Sequence, residues 1–247
     1  MEKLLKVGVF GASGRMGQAL TQVAAQRNCV CYWGASAQKK SEGYQHTMTY
    51  PLLPLEAKEE VILREIDVLI DFSQPGAMRE NIQLAAELGR PYVCGVTGFD
   101  RKEESELKQL SLQVPVLWSA NFSMGIAVLK QALKNLSLLG ADWSFVIEDI
   151  HHRHKKDSPS GTAKMLWQEL SQDIPEQQIQ SIVSIRGGGV FGEHHVLALG
   201  DFEILRFTHQ ALDRRVFALG ALQAARWLQG QRPGFYAFDQ LWQKGRS

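Results

Sequence analysis

Lys6-Val7-Gly8-Val9-Phe10-Gly11-Ala12-Ser13-Gly14-Arg15-Met16-Gly17 is the stretch that decides the fold. An apolar run of strand length breaks into three glycines spaced G-x-x-G-x-x-G. Behind them Met16, Ala19, Leu20, Val23 and Ala24 fall at i, i+3, i+4, i+7 and i+8, which makes one apolar helix face. A second apolar segment, Cys29 to Trp33, follows at the distance of a βαβ unit. Strand, glycine turn, helix and strand in this order open a dinucleotide-binding fold. Gly11 permits the tight turn, Gly14 lets the backbone approach a pyrophosphate, and Gly17 allows close helix packing. Gly11, Ala12, Ser13, Gly14, Arg15 and Met16 are therefore expected to line a cofactor.

An acidic residue normally closes the second strand of such a unit, to take the ribose hydroxyls. Here Gly34-Ala35-Ser36-Ala37-Gln38-Lys39-Lys40 has no acid. Lysines beside a serine suit a 2′-phosphate, so Gln38 and Lys39 point to NADPH over NADH, with NADH left open. The plain alternative is a solvated loop that carries two lysines.

Downstream, Tyr44 to Glu60 is poorly periodic, contains Pro51 and Pro54, and is expected to wrap the sheet edge. Ile66 to Ser73 reads as a buried strand, Arg79 to Leu88 as a helix, Pro91 to Gly98 as strand and glycine turn, and Asp100 to Leu110 as a helix with Asp100 as N-cap. Val114 to Trp118 is the last strand of the series. Such alternation predicts a Rossmann-type, doubly wound parallel sheet over residues 1–121. Ligands lie outside the carboxyl ends of the strands in these sheets, so Phe72, Gly95, Val96, Thr97, Ser119, Ala120, Asn121 and Phe122 should border the cofactor.

The pattern then changes. A helix from Met124 to Leu139 leads into a strand, Trp143 to Ile150, and a helix from Gly161 to Ser171 precedes three strand-like runs: Ser181 to Arg186, His195 to Leu199 and Phe202 to Thr208. Strands without intervening helices predict a second, α+β domain, residues 122–212, on a mixed or antiparallel sheet. A helix from Arg215 to Leu228, with Val216, Leu219, Leu222 and Leu228 apolar, is expected to bring 213–247 back to the first domain.

Three of the seven histidines, His151, His152 and His154, fall within four positions beside Arg153, Lys155 and Lys156. Pro159-Ser160-Gly161-Thr162 follows as a helix entrance, which binds anions through its N–H groups and dipole. A metal site is disfavoured because the neighbouring cations repel a metal ion. A solvated strand end explains the exposure of the cluster but not its density. An anionic-substrate site with acid–base capacity fits best. One close unit-charge contact is worth about 4 kcal/mol at an effective dielectric of ~20, so a few would hold a small dicarboxylate. Histidine titrates near working pH and lysine can protonate a developing anion. Ser160, Gly161 and Thr162 would grip one carboxylate. The glycine-rich Arg186 to His194 reads as a lid or a hairpin loop, with Arg186 as a second anion contact.

Net charge +1, with 45% hydrophobic and 21% charged residues, argues against nucleic acid as a partner, and no apolar run reaches membrane-spanning length. No signal-peptide core follows Met1, so the cytoplasm is the expected location. Cys29, Cys31 and Cys94 are too few for a disulfide framework.

These residues resemble the 4-hydroxy-tetrahydrodipicolinate reductase (dihydrodipicolinate reductase) family of lysine and diaminopimelate biosynthesis. The resemblance runs from Val7–Gly17 through Gly95–Gly98 and Ser119–Ser123 to the C-terminal helix. It is most specific at His151-His152-Arg153-His154-Lys155-Lys156-Asp157-Ser158-Pro159-Ser160-Gly161-Thr162-Ala163. It implies that His151 is the acid/base residue, Lys155 the proton donor, and His152 with Gly161 and Thr162 the substrate contacts. It also implies a homotetramer built through the second-domain sheet. Gln38 and Lys39 stand where many relatives have an acid and an arginine, and Lys156 where the family is often apolar. The alternatives are a non-catalytic NADP(H) sensor and a two-domain amino-acid or semialdehyde dehydrogenase.

Overall fold

In the computed structural model, the backbone is described for residues 3–40, 43–50 and 64–245, and side chains for 3–32 and 64–242. The chain divides into two compact units, Met1–Phe122 with Phe217–Ser247, and Ser123–Val216.

The first unit is built on a seven-stranded sheet. Its strands are β1 (Leu5–Phe10), β2 (Cys29–Lys40), β3 (Gly43–Tyr50), β4 (Val68–Asp71), β5 (Tyr92–Cys94), β6 (Pro115–Trp118) and β11 (Gly234–Ala237), in the order β11-β6-β5-β4-β1-β2-β3. Every pairing is parallel except β2 with β3. All four residues of β4 are buried, as expected for a strand covered on both faces. Helix α1 (Arg15–Ala24) buries Ala19, Leu20, Val23 and Ala24 of the face that the periodicity marks, with Gly17 buried as well and Met16 half-buried. Helices α2 (Pro75–Leu88) and α3 (Arg101–Leu110) add Met78, Ile82, Ala85, Leu107 and Leu110 to the core around Phe10, Leu69 and Tyr92. Each large apolar side chain among them contributes about 1.5–3 kcal/mol on burial. Asp100 caps α3 as expected: its carboxylate accepts from the Lys102 and Glu103 N–H groups at 2.8 and 3.0 Å, while Glu103 accepts from the Asp100 N–H.

Three features differ from the sequence reading. Gly43–Tyr50 is an edge strand antiparallel to β2, where an irregular wrap was expected; Pro51 to Glu60 lies outside the described residues. Helix α2 starts at Pro75, four residues before Arg79, because proline's fixed φ and missing N–H suit a first helical position. The series does not end at β6, since β11 pairs with it in parallel.

The second unit packs helix α4 (Met124–Leu133) and helix α5 (Gly161–Asp173) on a mixed sheet of β7 (Ser144–His151), β8 (Ile179–Arg186), β9 (Gly192–Leu199) and β10 (Ile204–Ala211), ordered β10-β9-β7-β8. Its core joins Ile126, Leu129 and Leu133 to Phe145, Ile147, Leu166, Val196 and Ala198. Strand β7 lies between β8 and β9, so the glycine-rich segment between those two strands crosses the end of β7. That order rules out the hairpin reading of Arg186 to His194.

Helix α6 (Arg215–Leu228) begins in the second unit and continues into the first. Its buried face is Ala218, Gly220, Ala221, Leu222, Ala224, Ala225 and Leu228. Small residues are required there, because a Cβ on Gly220 would stand 1.8 Å from the Phe122 carbonyl oxygen.

Candidate active site

In the first unit the strand order reverses at β1, with β2 on one side and β4 on the other, which is where sheets of this class bind ligands. The turn after β1 carries Gly11 at φ +76°, a conformation that costs an L-residue about 1–2 kcal/mol. A Cβ there would also lie 2.6 Å from the Phe72 carbonyl oxygen at the end of β4. Gly14 N–H donates to Gly11 O at 2.9 Å and Gly14 caps α1, whose first turn holds no acidic residue. On Gly17 a Cβ would come within 2.5 Å of Ala12 Cα and Gly11 O, so the helix sits directly on the turn. Ala12 is buried and Met16 half-buried, while Ser13, Gly14 and Arg15 are exposed. An exposed helix N-terminus without acidic neighbours, approached by bare glycine backbone, fits a dinucleotide pyrophosphate.

The neighbouring strand ends converge as well. The rings of Phe72 and Phe122 meet edge to face at 5.7 Å, in the space left by Gly95, where a Cβ would lie 2.2 Å from the Phe72 ring. Val96 O accepts the Trp118 indole N–H at 3.0 Å, and Ser119 Oγ donates to Asn121 O at 2.6 Å. Thr97 and Ala120 are exposed beside them. The side chains of Gln38 and Lys39 lie outside those described. Sequence reasoning passed over Asp71, a buried carboxylate that accepts from the Ser73 N–H at 2.7 Å, from Asn81 at 2.8 Å and from the Tyr92 hydroxyl. It fixes the loop that follows β4.

In the second unit, β7 alternates strictly between buried and half-buried residues. The row that begins with Phe145 and Ile147 continues as Asp149 and His151, so the core-facing side of the strand turns polar at its end. On β9 the same face carries Ala198, Val196 and His194, opposite Phe145, Ile147 and Asp149. Asp149 is fully buried. Its Oδ2 accepts from Arg186 Nη2 at 2.8 Å, from the Ser160 N–H at 2.8 Å and from Ser184 Oγ at 3.3 Å. Its Oδ1 lies 2.9 Å from His151 Nδ1 and 3.6 Å from His194 Nε2. Burial works against this charge, but Arg186 and the Ser160 donors prevail and hold the Asp149 pKa down at about 2.

Burial lowers the His151 pKa against the pull of Asp149, with Lys155 and Arg186 adding to the lowering. His194 is pushed down to about 3, first by burial and then by His151. Both imidazoles are therefore neutral near pH 7. The donor atoms of Asp149, His151 and His194 lie within 4.8 Å of one another, the spacing of a metal site, yet the cation this carboxylate already holds is the Arg186 guanidinium.

The remaining expected site residues surround this row. Lys155 Nζ stands 2.9 Å from Asp157 Oδ1. Ser160 caps α5, its Oγ accepting from the Ala163 N–H at 3.1 Å, and lies 3.4 Å from His194 Nε2. Gly161 is exposed, with nothing within 4 Å of where its Cβ would be, and Thr162 is half-buried. His152 is half-buried with its Nδ1 unpartnered among the described residues. Arg186 donates to Asp149 O, Ile185 O and Asp157 O as well as to the carboxylate, so four of its contacts are to protein oxygens. Gly187 N–H donates to His151 O at 2.9 Å, which pins the glycine segment beside the row.

A family model described as dihydrodipicolinate reductase, N-terminus, matches residues 5–122, and one described as dihydrodipicolinate reductase, C-terminus, matches residues 125–242. The chain belongs to the dihydrodipicolinate reductase family. It is 42% identical over 234 residues to the 4-hydroxy-tetrahydrodipicolinate reductase of Bdellovibrio bacteriovorus, covering 95% of this chain and 94% of that one. The enzyme of the same name from Zymomonas mobilis is 34% identical over 254 residues, with 95% and 96% covered. A dipicolinate-bound dihydrodipicolinate reductase from Paenisporosarcina sp. TG-14 superposes with a TM-score of 0.73 at 20% identity, over 95% of this chain and 97% of that one, and so shares the fold. Dihydrodipicolinate reductase membership thus spans both units, the glycine turn and the polar end of β7. Among the described residues no helix is long and apolar enough to cross a membrane.

Proposed function

We propose that the chain reduces 4-hydroxy-tetrahydrodipicolinate to tetrahydrodipicolinate with loss of water, as the step its family serves in lysine and diaminopimelate biosynthesis. The single observation that carries this reading is the polar end of β7 beside the α5 entrance, set in a chain matched over both halves by one reductase family. The turn from Gly11 to Met16 holds the pyrophosphate of a nicotinamide dinucleotide, and Phe72, Gly95, Val96, Thr97 and Ser119 to Phe122 border the rest. The reduced dinucleotide, when bound, supplies the hydride that goes to C4 of the cyclic imine after or with departure of the 4-hydroxyl as water. Lys39 and its neighbour Lys40 favour NADPH by offering cations to a 2′-phosphate.

The substrate is a dicarboxylate. One carboxylate sits at the α5 N-terminus on Gly161 and Thr162, where the dipole and N–H groups favour an anion, and His152 approaches the same ligand. Ser160 contributes as the cap that shapes this entrance, and Arg186 as the cation that holds Asp149 in place. His151, neutral at working pH, orients and accepts, while Lys155 delivers the proton that accompanies reduction. We place the homotetramer interface on the second-unit sheet, whose β8 and β10 expose Val183, Ile185, Ile204 and Leu205.

The decisive assay gives the purified chain the fresh condensation product of aspartate semialdehyde and pyruvate and follows NADPH and NADH oxidation. Turnover with this substrate is expected; none with either cofactor would sink the proposal. Family membership gives no support to the sensor or the dehydrogenase alternatives, and a substrate profile would expose either.

A further inference from the structure

We propose that Asp149 is the positioning residue of His151: its carboxylate holds the imidazole with the proton on Nδ1 and the lone pair on Nε2, while Arg186 and Ser160 keep that carboxylate fixed. Its catalytic meaning rests on the reductase reading above; its geometry does not.

The two residues share one face of β7, two positions apart, so the strand itself sets their separation. Three donors, from Arg186, Ser160 and Ser184, converge on Oδ2 and leave Oδ1 turned to His151 Nδ1 at 2.9 Å. That contact is close but off the line of an N–H bond, and both atoms are buried without an aligned hydrogen-bond partner. Burying an unmade donor and acceptor side by side is costly, and catalytic hydrogen bonds often straighten only when substrate is present. A proton on Nδ1 satisfies both atoms with a small turn of the ring. On the opposite edge, Gly192 brings backbone within reach of Nε2 and no side chain: a Cβ there would stand 3.1 Å away. Nε2 therefore faces no competing side-chain acceptor from that position.

The charged and titratable groups around His151 come from every element packed on it. They are Asp149 on β7, Lys155 and Asp157 in the following loop, Arg186 on β8, and His194 on β9, whose ring meets His151 edge to face at 5.2 Å. Lys155 and Arg186 favour the neutral ring, whereas Asp149 and Asp157 favour the cation. Asp149 exerts the stronger pull of the two acids and lies on the His151 ring itself. Removing its charge and removing that of Arg186 should therefore move His151 in opposite directions.

The test is nitrogen NMR of the full chain labelled in histidine, with kinetics on the same preparations. In the unsubstituted protein at neutral pH, His151 should be the Nδ1–H tautomer. Asp149→Asn should move the His151 titration to lower pH and lower kcat by about 100-fold, with a much smaller change in KM. Arg186→Gln should move the titration to higher pH. An Nε2–H tautomer in the unsubstituted protein overturns the proposal, and so does an unmoved His151 titration in a folded Asp149→Asn protein that has lost activity. Should the variant fail to fold, the tautomer of the unsubstituted protein decides alone. A chain with the expected tautomer and no reductase turnover would leave the positioning role standing and remove the functional reading.

Discussion

The first unit shapes its proposed ligand-facing surface by leaving side chains out, and the second by burying polar side chains. At the turn after β1, Gly11, Gly14 and Gly17 let backbone meet backbone, so an added carbon crowds its neighbours. At the end of β7, Asp149, His151 and His194 are buried together with half-buried Arg186 on the carboxylate, so any lost group strands a partner. One site should therefore fail by addition and the other by subtraction. Four measurements test that contrast.

The largest effect belongs to the second unit. His151→Ala or Lys155→Ala should lower kcat by about 10²–10⁴-fold while leaving dinucleotide affinity nearly unchanged. Cofactor titration by fluorescence beside steady-state kinetics checks both halves, and a matching loss of affinity would mean that the roles are misassigned.

The next is additive. Gly11→Ala places a methyl group against Phe72 O at a positive φ, and should cost about 1–3 kcal/mol of stability. Dinucleotide affinity should fall by about tenfold or more, since ~1.4 kcal/mol is a factor of ten. Calorimetry should find the bound state weakened more than the fold, and an unchanged affinity would remove the turn from the cofactor site.

A third concerns acid. The unfolded chain takes up protons near pH 6.5 that buried His194 refuses until about pH 3, and burial lowers His151 and His209 in the same direction. Stability is then fully present above the unfolded value and falls as pH drops toward the folded one. His194 contributes a slope of about 1.4 kcal/mol per pH unit within that window, and His151 and His209 act in the same direction. Urea unfolding across the range should show the fall, with a shallower slope in His194→Gln; identical slopes would mean that His194 is not held neutral.

The smallest effect is a control at a residue assigned to neither chemistry. Asp100→Ala removes the α3 cap and should cost about 1 kcal/mol in thermal unfolding without altering kcat.

The same contrast explains what could be read in advance. Glycine spacing and strand–helix alternation are local patterns, so the parallel sheet, α1 and the turn between β1 and α1 were legible. Short β11 was not, because four residues exposed on alternate positions carry little periodicity; only the open edge of β6 makes them a strand. Gly43–Tyr50 escaped for a similar reason, its identity as a strand depending on pairing with β2. In the second unit the cluster at His151 to Lys155 was visible as charge density, while Asp149 and His194 were passed over. A signal for Asp149 existed: it has the parity of Phe145 and Ile147 along β7, so burying those two buries the acid. His194 needed the β7–β9 register, which no local pattern supplies. Arg186 was legible as a cation but not as one committed to Asp149, because that depends on β8 lying beside β7.

The return of Phe217–Ser247 to the first unit sets the order in which the two units acquire their full complement of residues during synthesis. The second unit is one unbroken stretch, Ser123–Val216, and has emerged whole while the first still lacks its closing helix residues and β11. Although domains usually complete in the order of their N-termini, the half of this molecule whose synthesis begins first is the last to have all of its residues available.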